Sequence, residues 1–419
     1  MKQTILLSFL FLSVTLVFAQ TLMPGKPAEN GMSADRLARI DQMVIDNMNS
    51  KKIPGAVVFI ARNGKIVYHK AFGFSDIEKQ TILKKDDIFR IASQSKAITS
   101  TAVMMLFEEG KFLLDEPVSK YIPEFKNPKV LGTLNWKDTT YTTVPAKSEI
   151  TIRQLLTHTS GIDYAGIGSQ EFKAIYAKAG VPSGIGNDDM VLADKIKILG
   201  GLPLKHNPGE QYTYSLSIDV LGYLVETLSG MSLDQFFKTR IFQPLGMNDS
   251  YFYLPKEKHS RLVSLSQSKD GVLAVYKQIS FDGANPNYPT LPGKYFSGGA
   301  GLSGTIEDYA KFLQMFINKG EYNGVRLLSR KTIELMLTNQ IQPPITNQYG
   351  LGFGLETEKN DYQSVLSLGS FSWGGAFNTQ YWADPKEKLV ALIYTNMYAS
   401  PGINTGDKFK VLTYQSIID

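Results

Sequence analysis

No cysteine occurs among the 419 residues. That absence excludes disulfides, thiol catalysis, cysteine-bound metals and lipid attachment through a cysteine, so stability has to come from the core. Histidine is scarce as well: His69, His158, His206 and His259 are scattered, with none at a metal-ligand spacing from another, which argues against a zinc hydrolase. Gly-x-Ser-x-Gly is missing, and with it the nucleophile elbow of the α/β hydrolases. Basic clusters are missing too, and a net charge of +5 is too weak for a nucleic-acid surface. The glycine runs Ser297-Gly298-Gly299-Ala300-Gly301 and Trp373-Gly374-Gly375 have no following lysine and helix of the phosphate-loop kind. No cofactor and no metal are therefore expected.

The composition is otherwise that of a globular protein, 43% hydrophobic and 20% charged, long enough for one large domain or two intimate ones. Lys2, the apolar run from Ile5 to Phe18 and the small-residue site ending at Ala19 read as a cleaved export signal over residues 1–19. The run is short for a membrane span, and no later stretch is long and apolar enough for one. The expectation is a product that is periplasmic or secreted and free of the membrane after cleavage. Cleavage removes only Lys2, taking the charge from +5 to +4. Nothing in the sequence sets an oligomeric state.

The stretch that organises the chain is Phe89 to Ser100. Ser93 and Lys96 stand three apart, which on a helix puts them on one face within reach of each other. A serine hydroxyl is a poor nucleophile near neutrality and needs a base, and a lysine can be one when burial favours its neutral amine. The next residues supply that burial: Ala97, Ile98, Ala102, Val103, Met104, Met105, Leu106 and Phe107 make a helix apolar on most sides. The same four letters recur at Ser266-Gln267-Ser268-Lys269, but Asp270-Gly271 behind them is a hairpin turn with no helix after it. Context selects Ser93.

Along the chain, Ser33 caps an amphipathic helix running to Met48. Gly55–Arg62 and Lys65–Lys70 flank Asn63-Gly64, the clearest hairpin signal present. The middle reads as helical and loop-rich, with helices over Thr151–Gly161, Asp219–Glu226, Ser232–Phe242 and Thr305–Asn318. From Tyr349 the pattern is β again, so the terminal β segments are expected to share one sheet, with the helical middle inserted between them. His158, before Thr-Ser-Gly, reads as a structural hydrogen-bonding residue, with a triad base as the alternative. Tyr214 comes after a Pro208-Gly209 turn and precedes a helix start. A tyrosine so placed exchanges protons if a lysine lies close, and is otherwise a packed aromatic. Glycines beside a strand, as in Phe371-Ser372-Trp373-Gly374-Gly375-Ala376, often mark the close approach of a ligand or of another backbone.

Ser93-x-x-Lys96, the Leu-Leu-Thr-His-Thr-Ser-Gly ending at Gly161, the Pro208–Ser215 stretch, Gly298–Gly301 and the late Trp-Gly-Gly before Asp384-Pro385 occur in an order that resembles the serine β-lactamase-like proteins. The likeness runs from about Ala34 to the last strands. It looks most like the class C branch and its family VIII carboxylesterases. The resemblance implies an α/β (α+β) fold with a mixed, largely antiparallel sheet flanked by helices, formed by residues 28–90 and 292–419. It also implies an all-helical region over residues 91–291 and an active-site groove at the junction. It implies roles as well: Ser93 acylated, Lys96 and Tyr214 passing its proton, and the N–H groups of Ser93 and Ala376 forming an oxyanion hole, where one donor is worth about 2.7–4 kcal/mol.

Two departures carry information. Where β-lactamases and penicillin-binding proteins have Tyr-x-Asn, this chain has Tyr214-Ser215-Leu216, so the amide for an acylamino group is missing. Where they have Lys-Thr-Gly it has Trp373-Gly374-Gly375, with no fixed cation for a carboxylate. Trp373, Gly374, Gly375, Ala376 and Leu216 are the expected substrate-binding positions. The expectation is an exported serine hydrolase of small carboxylic esters acting through an acyl-enzyme. The alternatives are a β-lactamase or a D-amino-acid peptidase or amidase of the same fold, with an ester or amide small molecule as partner. A non-catalytic β-lactam-binding module is the third reading.

Overall fold

The computed structural model describes residues 21–185, 190–278, 285–398 and 402–419. The expected signal over residues 1–19 lies outside them. Among the described residues no helix is long and apolar enough to cross a membrane.

The framework is an eight-stranded sheet drawn from both parts of the chain. Its strands are β1 (Met23–Pro24), β2 (Gly55–Arg62), β3 (Lys65–Asp76), β4 (Thr81–Ile82), β5 (Gly354–Leu355), β6 (Phe371–Gly375), β7 (Thr379–Asp384) and β8 (Leu389–Tyr394). Their order is β1-β3-β2-β8-β7-β6-β5, with β4 on the far side of β3. Only the short β1 pairs in parallel. The hairpin forms where Asn63-Gly64 predicts it: Arg62 faces Lys65, and Asn63 and Gly64 take φ of 55° and 72°. Asparagine and glycine are the residues that reach such angles at least cost.

β2 reads as an unbroken apolar run because it is buried on both faces. Strand periodicity splits it between two cores. Val57, Phe59 and Ala61 face the larger core with Val390, Leu392 and Tyr394 of β8, whereas Val58 and Ile60 face the smaller one with Ala391 and Ile393. Two helices cover the smaller core, α1 (Ala34–Asn49) and α6 (Thr405–Tyr414). α1 starts at Ser33, whose hydroxyl accepts from the N–H of Arg36, a cap worth about 1 kcal/mol. On the opposite face α5 (Ile306–Ile317), capped by Thr305, packs on β2, β7 and β8. Beyond it lie α2 (Ser95–Glu108), α3 (Ile152–Leu156) and α4 (Ser217–Ser229), with α2 packed against α4. α2 is buried on every side from Ser95 to Leu106, as its composition predicts.

α3 is shorter than expected. Thr151 and Gln154 form a full capping box at its start, but it stops at Leu156 rather than running to Gly161. His158 takes φ of 56°, a left-handed angle that no helix continues through. Ser232–Phe242 is likewise not one regular helix: Leu233–Phe237 is α-helical and Lys238–Phe242 is a π-turn. The second Ser-x-x-Lys lies inside a strand, Ser266–Lys269, paired with Val272–Val275 across the Asp270-Gly271 turn.

His69 gives the sheet an acid sensitivity. Its ring packs edge-on against Phe59 at 5.1 Å, and its Nε2 is buried without a hydrogen bond among the described residues. Burial, aided by the charge of Lys85, pushes the imidazole down to about 4. The unfolded chain therefore takes up a proton that the fold refuses. Stability is full above the ordinary histidine value and declines as pH falls from about 6.5 towards 4, by about 3 kcal/mol for this side chain. The expected result is a melting temperature that drops over that window and drops less in His69→Leu. Equal slopes for the two proteins would show that the charge on His69 is not the source.

Candidate active site

Ser93 sits on a single 3₁₀ turn, Ala92–Gln94, between the short strand Phe89–Arg90 and α2. The turn is tightly fixed. Ala92 takes φ of 42°, an unfavourable angle for a residue with a Cβ. Ile91 N–H bonds to Leu302 O at 3.1 Å, Leu302 N–H to Ser95 Oγ at 3.0 Å, and Tyr309 Oη to Gln94 O at 2.9 Å. Thr99 Oγ1 holds Gly298 O at 2.7 Å. Within this buried stretch Ser93 alone is partly open to solvent.

Lys96 is 0% exposed. Its Nζ lies 3.3 Å from Ser93 Oγ, 3.3 Å from Tyr164 Oη and 2.8 Å from Gly299 O. The helical spacing therefore does bring amine and hydroxyl together. Tyr214 also comes to the amine, but with its face: Nζ stands 4.5 Å from the ring centroid, and the phenolic oxygen is buried with no hydrogen bond among the described residues. An ammonium over a desolvated aromatic face gains about 2 kcal/mol, which favours the species formed when the amine accepts a proton.

Aromatic rings wall this corner. Tyr164 stacks on Tyr214 at 5.7 Å, Trp373 lies 5.7 Å from Tyr214, and Tyr349 meets Trp373 edge-on at 5.3 Å. His158 packs behind Tyr214 at 4.7 Å, fully buried. Its Nδ1 accepts the Ser215 N–H at 3.2 Å, so a neutral ring carries its proton on Nε2. Burial and the neighbouring Lys96 charge hold its pKa well below the ordinary value. It shows no bond to Ser93 among the described residues, and so positions Tyr214 instead.

β6 closes the site from the sheet side. A Cβ on Gly375 would stand 2.4 Å from both Ile91 O and Thr379 Oγ1, so only glycine lets the strand approach the turn that carries Ser93. Trp373, Gly374 and Gly375 are half-buried there, and Ala376 next to them is exposed. Leu216 is placed differently from the expectation. At 1% exposed it belongs to the main core, where its side chain packs, and it does not line the groove.

Tyr164 was missed in the sequence. The only signal is its position three residues beyond the Thr-Ser-Gly that ends at Gly161, and nothing local marks that place as close to Lys96. A cavity of about 790 Å³ runs along β6 and β7 past Trp382, Ile403 and Lys410. Ser93 and Lys96 do not line it, but Trp373, Gly374, Gly375 and Ala376 do. Among the described residues no three His, Asp or Glu side chains gather as a metal site would require.

A serine opened to solvent at a fixed turn, with a buried amine at its oxygen and a glycine strand pressed against it, makes this α/β protein a serine hydrolase of the β-lactamase/transpeptidase type. The chain belongs to the Beta-lactamase family, whose model matches residues 40–412. An uncharacterized protein of Mycobacterium tuberculosis is 32% identical over 81% of this chain and 85% of its own length. Esterase EstB of Burkholderia gladioli is 29% identical over 87% of this chain and 91% of its own. Among solved structures EstCE1, described as a hydrolase with promiscuous acyltransferase activity, has a TM-score of 0.78 at 25% identity, covering 91% of this chain and 99% of that one.

Proposed function

We propose that this chain hydrolyses small, neutral carboxylic esters through an acyl-enzyme on Ser93. The observation that carries the reading is the contact of 3.3 Å between the buried Lys96 amine and the one partly open hydroxyl of the turn. As Ser93 Oγ attacks the ester carbonyl, its proton passes to Lys96 Nζ and the carbonyl π pair moves onto oxygen. The N–H groups of Ser93 and Ala376 take up that oxyanion. The alkoxide leaves with a proton returned from the amine, Tyr214 assisting, and water then releases the acid by the reverse path. The relation to an esterase and to a hydrolase with acyltransferase activity supports the reaction class. The apolar run from Ile5 to Phe18 and the small-residue site ending at Ala19 support an exported location, which a mature chain beginning at Gln20 would match.

Substrate class depends on the chemistry Trp373 offers. Its only polar group is a neutral indole N–H, so it provides no charge-assisted bond to a β-lactam carboxylate. Nor does the apolar Leu216, packed in the core, offer an amide to an acylamino side chain. Each missing contact is worth roughly 1–3 kcal/mol, so together they disfavour β-lactams by about a hundredfold or more. Steady-state rates should give kcat/KM on p-nitrophenyl butyrate at least about a hundredfold above that on a chromogenic cephalosporin. Comparable values on the two would move the assignment to the β-lactamases.

A further inference from the structure

Among the buried carboxylates that the proposed ester cleavage leaves unused, one is linked to the Lys96 amine. Asp219, in the first turn of α4, is 0% exposed, and carboxylates are rarely found so deep without specific partners. Its partner is a chain of hydrogen bonds. Ser297 Oγ donates to Asp219 Oδ1 at 2.5 Å, Ala300 N–H donates to Ser297 Oγ at 3.1 Å, and the carbonyl of that same peptide unit, Gly299 O, accepts from Lys96 Nζ at 2.8 Å. Every donor points towards Asp219. Aligned bonds of this kind polarise one another, most strongly in a dry interior.

The surroundings are shaped to this chain. A Cβ on Gly299 would stand 2.5 Å from Asp219 Oδ2, and one on Gly184 2.8 Å from Ser297 Oγ. Gly299 thus finds its physical reason in the close approach of a carboxylate. Burial pushes the Asp219 carboxyl up, while the Ser297 hydroxyl and the charge of Lys96 pull it back. The groups facing it and the amine are Tyr295, whose phenol is driven up by burial and by Asp219, the neutral His158, Tyr164, Tyr214 and Ser93.

We propose that Asp219 is a positioning residue for Lys96: through Ser297 Oγ and the Gly299–Ala300 peptide it aims the amine at Ser93 and stabilises the ammonium formed as the amine takes the serine proton. This rests on the reading of Ser93 as nucleophile and Lys96 as its base. No proton travels along the chain; the only transfer is from Oγ to Nζ as the Oγ–carbon bond forms.

Two variants test it, each normalised to its reactive sites by titration with a p-nitrophenyl phosphonate. Asp219→Asn keeps the shape and the acceptor for Ser297 and removes the charge. Ser297→Ala cuts the chain and leaves the charge. The reaction needs the unprotonated amine, and loss of the anion disfavours the ammonium. The acidic limb of kcat/KM in Asp219→Asn should therefore move to lower pH, by about one unit. Its kcat should fall about tenfold with KM little changed. Ser297→Ala should lower kcat similarly, and the double variant should be no worse than either. Should Asp219→Asn fail to fold, the kcat of Ser297→Ala per titrated site decides alone. An unmoved limb and full kcat per titrated site, with only a lower melting temperature, would make Asp219 structural and overturn the proposal. Losses that multiply would overturn it as well. Wild-type protein that does not label on Ser93 would overturn the parent reading and this one with it, whereas labelling on Ser93 beside an unmoved limb overturns this one alone.

Discussion

Ser93→Ala is expected to lose turnover by about four to six orders of magnitude while melting within a degree or so of the wild type. The fold should not notice the change. The start of α2 uses no side-chain cap, and among the described residues the hydroxyl's one hydrogen bond is the contact with Lys96. Treatment of the wild type with a serine-reactive phosphonate should leave its mass on the peptide containing Ser93. Ser266→Ala, the same letters placed in a strand, should keep full activity. An adduct on Ser266, or an active Ser93→Ala, would show that Ser93 is not the nucleophile.

The second large effect concerns the proton. Lys96→Ala should lower kcat by about two to four orders of magnitude, the range for a positioned general base. If the hydroxyl of Tyr214 joins the same transfer, Tyr214→Phe should also cost a large factor, and adding it to Lys96→Ala should cost little more, because groups acting as one unit are non-additive. Tyr164 provides the control. It holds a hydrogen bond to Nζ at 3.3 Å, and losing one neutral bond of that kind costs about 1 kcal/mol, near fivefold in rate. A Tyr164→Phe variant as slow as Tyr214→Phe would move the shuttle to Tyr164. The face-on placement of Tyr214 against the amine makes this a sharp comparison.

How much could be read beforehand depended on how local each cause is. The Asn63-Gly64 hairpin, the Ser33 and Thr305 caps and the Ser93–Lys96 pair are each set within a few residues, and their residue types alone specify them. α3 ended early for a distant reason: His158 reverses the chain so that its ring can take the N–H of Ser215, 57 positions on. Tyr164 meets Lys96 from 68 positions away, and only the folded chain shows it. Leu216 was assigned to the groove from its place in a tripeptide. A position in a tripeptide does not say which way a side chain points, and the turn into α4 sends this one into the core.

The missing Cβ of Gly375 has a consequence for how activity arises at all. The gap between β6 and the Ser93 turn is set by residues from opposite parts of the chain, and the carbonyl that holds the amine lies 203 positions beyond it. Contacts of such sequence separation form only after long loops close, which makes them slow and late. No short contiguous fragment contains the site. A refolding molecule has its hairpins and helices before it has a nucleophile, and the return of turnover marks the closing of the whole sheet.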